Sequence, residues 1–324
     1  MTLGRHQSLI LNPDKLKLKH KIKLRDYLAQ NWFIYVIFAL VMSYYIIFKY
    51  IPMYGVLIAF KKYSPVKGIM GSEWIGFLNF KRFFSSVYFT RTFRNTVLLN
   101  FYSLLFGFPA PIIFALMLNE LRSQSFKRTV QTISYLPHFI SLVIVAGMLH
   151  DFLNNDGTIT TLLNLLFGVE KKVWLNDVNA YRAIYVLSDI WKGLGWSAII
   201  YLASLSNIDT QLYDSAEIDG CGSLRKMIHV TLPGIAPTII ILLILRMGSL
   251  MSVGAEKTLL LYNPNTYEVS DIISSFVYRR GFGIDSRADY SFSTAVDLFN
   301  ALINLTLLTI ANFTARRYSE TSLW

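Results

Sequence analysis

Residues 214–222 read Asp214-Ser215-Ala216-Glu217-Ile218-Asp219-Gly220-Cys221-Gly222, and Ser223 to Val230 then lead into Thr231-Leu232-Pro233. Long apolar runs lie on either side. Asp209 or Thr210 can cap a short helix that begins at Gln211, because a side-chain oxygen there accepts an unsatisfied first-turn N–H. Gly220 and Gly222 end that helix and Ser223 caps a second one. Pro233 closes the segment, since a proline inside a helix loses a hydrogen bond and meets the preceding turn. The expectation is helix, glycine turn, helix, held between two membrane spans.

The rest of the chain reads as the membrane scaffold for this segment. Of 324 residues, 53% are hydrophobic and only 16% charged, and the mean hydropathy is +0.42. Such a chain is too apolar for an ordinary soluble domain. Apolar runs of about the 20 residues that a spanning helix needs fall at 32–52, 95–118, 134–153, 183–206, 234–255 and 292–315. An all-α polytopic protein with about six transmembrane helices follows. Pro109, Pro111 and Pro237 are expected to bend helices or mark their starts.

The formal net charge of +11 accompanies no nucleic-acid motif, and the basic residues flank apolar spans, so membrane-surface charge is its reading. Arg5, Lys15, Lys17, Lys19, Lys21, Lys23 and Arg25 precede the first span and favour a cytoplasmic N-terminus. The alternation of Lys15 to Lys23 with Leu16, Leu18 and Ile22 fits a strand or a basic amphipathic surface segment equally. No small-residue cleavage site ends a short apolar core, so the first span is retained rather than cleaved. Six spans place both termini and the 214–233 segment on the cytoplasmic side. The expected division is a basic segment at 1–31, a transmembrane domain at 32–315 with its cytoplasmic loop at 207–233, and a tail at 316–324.

This loop resembles the cytoplasmic signature of binding-protein-dependent ABC importer permeases, which runs E-A-A, two residues, D-G, nine residues, I-x-L-P. Asp214 stands for the Glu, Ser215 and Ala216 for the two Ala, Asp219-Gly220 match, Val230 stands for the Ile, and Leu232-Pro233 match. Phe108-Pro109, Asn119-Glu120, the run Tyr135-Leu136-Pro137-His138-Phe139-Ile140-Ser141, and Asp189-Ile190-Trp191-Lys192-Gly193-Leu194-Gly195-Trp196 are similar to segments of the carbohydrate permeases of that family.

The resemblance implies a type I importer permease fold and alternating access. In it, Asp214, Ser215, Ala216, Glu217, Asp219, Gly220, Leu232 and Pro233 form the part that docks into an ATPase. It also implies the company of a second homologous permease, two ATPase subunits, an extracytoplasmic solute-binding protein and a carbohydrate cargo, in a bacterial inner membrane. ATP and Mg would be bound by the partner ATPases, because this chain has no G-x-x-x-x-G-K-[ST] loop. Nor does it contain H-E-x-x-H, paired cysteines or G-x-S-x-G, so a transport subunit is expected, not an enzyme, and no metal site. Cys221 is a lone cysteine and reads as packing.

Charged groups at membrane depth nominate a cargo path. Asp189, Lys192 and Arg246 are such groups, with Trp191, Trp196 and Tyr201 as aromatic platforms beside them. Asp189 and Lys192 share a helix face and either neutralise each other or meet cargo. Asp297, Asn300 and Asn304 form one polar stripe that faces a cavity or bonds between helices. Lys61, Lys62, Lys67, Lys81, Arg82 and Arg91 oppose Glu73 alone in the loop 53–93. That loop is solvated surface, an acidic docking face's counterpart, or a sign of anionic cargo such as an alginate or uronate oligosaccharide. An ion-coupled secondary transporter is the alternative, and it leaves the spacing from Asp214 to Pro233 unexplained.

Overall fold

Prolines set where the helices change their winding. The computed structural model describes residues 28–252, 254–284, 288–318 and 321–324. The basic segment, with its alternating Lys15 to Lys23, therefore lies outside the described residues apart from 28–31. Contacts divide the chain into Met1–Gly55 and Val56–Trp324. In the first unit, α1 (Trp32–Tyr45) passes into a π turn at Ile46–Tyr50 ahead of Pro52. None of its residues is buried, as befits a helix that is apolar on all sides and suited to lipid.

The second unit begins with a two-stranded antiparallel sheet, β1 (Lys61–Lys62) against β2 (Glu73–Trp74). Then come α2 (Leu78–Phe84), α3 (Val87–Tyr102) and α4 (Pro109–Asn119), the last two joined by a π turn at Ser103–Gly107. The next are α5 (Gln124–Tyr135), α6 (Leu142–Phe152), α7 (Thr158–Phe167) and α8 (Val178–Leu205). The chain ends with α9 (Thr210–Ile218), α10 (Ser223–Lys226), α11 (Leu232–Gly248), α12 (Ala255–Leu261), α13 (Ile273–Phe282) and α14 (Tyr290–Tyr318). Side chains start the helices as capping chemistry requires: Ser86, Ser123, Ser141, Asp177 and Asp209 each accept a first-turn N–H.

Four stretches are long and apolar enough to cross a membrane, Trp32–Phe60, Val87–Asn119, Ser223–Gly248 and Tyr290–Arg317, and a bent pair makes a fifth. With the 28-residue α8, whose middle carries Ser188, Asp189 and Lys192, they account for the six expected spans. Two spans differ in form from the expectation. The third is not straight: Pro137 forces a 3-10 turn at Leu136–Phe139, and the helices on either side meet at 98°. The fifth begins before residue 234 and ends before 255, because the helix runs unbroken from Ser223 to Gly248. Pro233 does not close the segment. A π turn at Met227–Thr231, in which the Leu232 N–H reaches back to the Met227 carbonyl, widens the helix where a proline ring otherwise meets the carbonyl four residues behind it. At the other end α14 continues past residue 315, and Asn312 bonds Leu323 and Trp324 of the tail.

Three apolar cores hold the second unit. Tyr181, Tyr185 and Val186 of α8 pack with Leu99 and Leu261, Phe83 packs with Phe276 and Phe292, and Ala198 and Tyr201 pack with Ile112 and Ile235. Between the first two sits a buried ionic knot. The Asp271 carboxylate accepts from Arg91 at 2.7 Å and Arg279 at 2.9 Å, and from the Ser275 hydroxyl at 2.9 Å. Because the Asp271 and Arg279 side chains are 0% and 4% exposed, removing the carboxylate takes a buried ionic partner from both arginines. Asp271→Ala is expected to cost about 3–5 kcal/mol. Arg82→Met, which breaks an ion pair exposed to water, should cost within about 1 kcal/mol. Thermal unfolding in detergent compares the two, and equal effects would contradict this account.

Candidate functional site: a braced loop and a cavity

The loop expected at 207–233 is a short helix locked at both ends. Asp209 Oδ1 accepts the Gln211 N–H at 2.9 Å. At the other end the Cys221 N–H bonds the Ala216 carbonyl and the Gly220 N–H bonds that of Glu217, the two bonds of a Schellman closure. This closure requires a left-handed residue, which Gly220 supplies with φ 74°. The D-G pair of the loop is thus a helix stop, and Cys221 is the small residue that follows it. Gly222, not Ser223, caps α10, because the Ser223 hydroxyl instead donates to the Glu120 carboxylate at the end of α4.

Two further bonds fix α9 against the helix that follows. The Tyr213 hydroxyl donates to Thr231 at 3.1 Å, and Lys226 Nζ donates to Glu217 at 3.1 Å. Gly234 lies so close to Ile208 that a Cβ would stand 2.8 Å from its terminal methyl. Asp214, Ser215, Glu217, Asp219 and Gly220 are left exposed, together with Leu212, Ile218 and Leu224, while Ala216 is half-buried. Leu232 and Pro233, also exposed, belong to the helix beyond the π turn. An exposed apolar and acidic surface on a helix with braced ends can transmit a push without bending. The bracing residues Glu120, Tyr213, Lys226 and Thr231 escaped the sequence reading, because no local pattern says which polar side chains meet across a turn.

Within the bundle, α8, α11 and the π turn at Ser103–Gly107 surround a cavity of about 700 Å³. Asp189, Trp196, Tyr201 and Arg246 line it. Trp196 stacks on His138 with ring centroids 4.3 Å apart, and Tyr201 is 3% exposed. The pairing of Asp189 with Lys192 does not form. Lys192 Nζ donates at 2.7 Å to the His138 carbonyl, which the 3-10 turn after Pro137 leaves without a helical donor. Asp189 is taken instead by Lys257, which follows the fifth apolar run, at 2.7 Å. Trp191 and Lys192 are not on the cavity wall.

Nor does the stripe on α14 line it. Asn304 accepts the Met251 N–H at 2.7 Å and donates to the Ser252 hydroxyl, and Asn300 donates to the Met251 carbonyl at 3.0 Å. These amides satisfy the turn that ends α11, so their role is bonding between helices, and Asp297 stands exposed on the same helix. In the basic loop 53–93, Arg82 and Arg91 are bound to Asp289 and Asp271, whereas Lys62, Lys67 and Lys81 are exposed. Among the described residues, no group of three or more His, Cys, Asp or Glu side chains is placed to hold a metal ion.

Residues 107–320, which include the braced loop and most of the cavity wall, match the family of binding-protein-dependent transport system inner membrane components. The chain belongs to this family. The permease is 43% identical over 298 residues to protein LplB of Bacillus subtilis (strain 168), covering 92% of each chain. It is 40% identical over 308 residues to the polygalacturonan/rhamnogalacturonan transport system permease protein YteP of the same organism, covering 95% of each.

Its fold matches a chain in the crystal structure of a bacterial ABC transporter involved in the import of the acidic polysaccharide alginate. The TM-score is 0.83 and the identity 40%, over 91% of this chain and 99% of that one. A second match, with a TM-score of 0.84 and 39% identity over 93% and 99%, is a bacterial alginate ABC transporter in complex with alginate pentasaccharide-bound periplasmic protein. The permease is thus an ABC transport subunit, not an enzyme, and the ion-coupled alternative loses its support.

Two glycines of α8 separate packing from lining. A Cβ on Gly195 would fall 2.3 Å from the backbone oxygen of Ser134, whereas Gly193, on the cavity wall, meets nothing closer than 4.0 Å. Gly195→Ala is expected to abolish the monodisperse peak of the detergent-solubilised protein in size-exclusion chromatography, and Gly193→Ala to retain it.

Proposed function

We propose that this chain moves an acidic oligosaccharide across the inner membrane, driven by ATPase subunits that seat on the loop from Asp209 to Pro233. The observation that carries this reading is the loop itself. A helix closed by Gly220 and tied to the helix that follows it presents Leu212 and Ile218, with Leu224 of α10 beside them, to a partner instead of burying them. The ATPase-coupling residues are Asp214, Ser215, Ala216, Glu217, Asp219 and Gly220, with Leu232 and Pro233 carrying the contact into the spanning helix. ATP and Mg belong to those partner subunits. Both chain termini and this loop face the cytoplasm, a second permease completes the pathway, and an extracytoplasmic binding protein delivers cargo.

The acidic cargo is supported by relatives named for alginate and polygalacturonan, and by the exposed lysines of the 53–93 loop. Trp196 and Tyr201 offer the aromatic surface that sugar C–H faces need, and Asp189 and Arg246 the polar groups beside it.

Copurification from the native membrane in mild detergent tests the coupling. The unaltered chain should bring down a nucleotide-binding subunit. Asp219→Lys with Gly220→Pro should lose it, because a proline ring fixes φ near −65° and cannot adopt the 74° that the helix stop requires. Absence of any ATPase from the unaltered sample would sink the reading.

A further inference from the structure

The cavity wall contains three charged residues, Asp189, Arg246 and Lys257. Two of them are spent on each other. Lys257 is 3% exposed, and its Nζ donates to Asp189 at 2.7 Å and to the Tyr185 carbonyl at 2.6 Å, 4.3 Å from the Tyr185 ring centroid. This placement follows from a two-point fit between α8 and the segment entering α12. Tyr185 and Asp189 are four residues apart and share one face of α8. Gly254 and Lys257, three apart, lie opposite them.

The fit depends on Gly254. Its φ of 71° suits a residue without a side chain, and a Cβ there would stand 1.5 Å from the Tyr185 hydroxyl, which reaches the Gly254 carbonyl at 3.4 Å. With the glycine seated on Tyr185, the next turn delivers Lys257 to Asp189.

Arg246, in the last turn of α11, is half-buried on the same wall and has no acidic partner among the described residues. A guanidinium at membrane depth without a counter-charge is costly, and such groups mark ion or substrate paths. A planar carboxylate is the group its fork of donors fits best.

We propose that Arg246 binds a carboxylate of the cargo and that Lys257 is a specificity-determining residue: by occupying Asp189 it leaves Arg246 as the wall's one uncompensated cation. Without Lys257, Asp189 becomes the counter-ion of the cavity and repels the same carboxylate. This deepens the acidic-oligosaccharide reading above and rests on it.

The test uses the complete importer with its partner subunits in proteoliposomes. Uptake of a short oligogalacturonate is compared with uptake of its methyl-esterified, neutral form. The unaltered complex should prefer the acid. Arg246→Met should lower the acid-to-ester ratio about ten-fold or more, as expected for loss of a charge-assisted hydrogen bond. Lys257→Met should lower it comparably, and Asp189→Asn added to Lys257→Met should restore it to within about three-fold of the original.

The rescue separates a charge effect from poor folding, since the double variant removes the same buried ammonium. A ratio unchanged by Arg246→Met or Lys257→Met, or a double variant no better than Lys257→Met, overturns the proposal while the cargo reading stands. If the unaltered complex takes up neither probe or prefers the ester, the acidic-cargo reading fails and this inference with it.

Discussion

Inside a bilayer a peptide group has no water to turn to, so each interruption of a helix has to be satisfied from within the protein. Much of this structure answers that demand. The carbonyl freed where Pro137 bends the third span takes the ammonium of Lys192. The peptide groups freed at the end of α11 take the amides of Asn300 and Asn304. Serine and aspartate caps start the helices, and π turns carry them towards three prolines. Polar residues that stand out in an apolar sequence are thus divided between backbone repair and the cavity wall.

That division explains what could be read from the chain alone. The helical segments, the approximate number of spans and the helix-turn-helix at 209–233 were legible, because hydropathy, capping residues and the Asp219-Gly220 pair are local signals. Asp189, Trp196, Tyr201 and Arg246, singled out on sequence as polar or aromatic groups at membrane depth, line one wall. Lys192, Asn300 and Asn304 carry the same local signature, a polar group in an apolar run, yet their partners are backbone atoms of elements distant in sequence. Nothing within a window of one helix distinguishes them. Lys257 was illegible for the complementary reason: it follows the fifth apolar run and reads as loop, until the fit of Gly254 on Tyr185 turns it inward.

Loop and cavity are ends of one object. The helix from Ser223 to Gly248 is continuous over 26 residues, roughly 39 Å at 1.5 Å per residue. Glu217 and Tyr213 grip its start through Lys226 and Thr231, and Arg246 sits in its last turn. Movement of the loop helix is therefore movement of the charge in the cavity, with no hinge needed between them. The pair Asp189 and Lys257 belongs to the neighbouring wall, so the distance from Arg246 to that pair is the coordinate such a motion would change.

The π turn at Met227–Thr231 gives the spacing between Asp219-Gly220 and Leu232-Pro233 an angular meaning. An α-helix rotates about 100° per residue, and a π turn admits one residue more than the α register allows. Everything beyond Thr231 is therefore turned by about a quarter circle relative to an uninterrupted helix. Which side of the spanning helix looks into the bundle, and hence whether position 246 or its neighbour faces the cavity, is decided some four turns earlier, next to the exposed loop helix. The number of residues in the signature works as a gear setting. Insertion or loss of a single residue there would leave every local helix intact and rotate Arg246 away from the cavity wall.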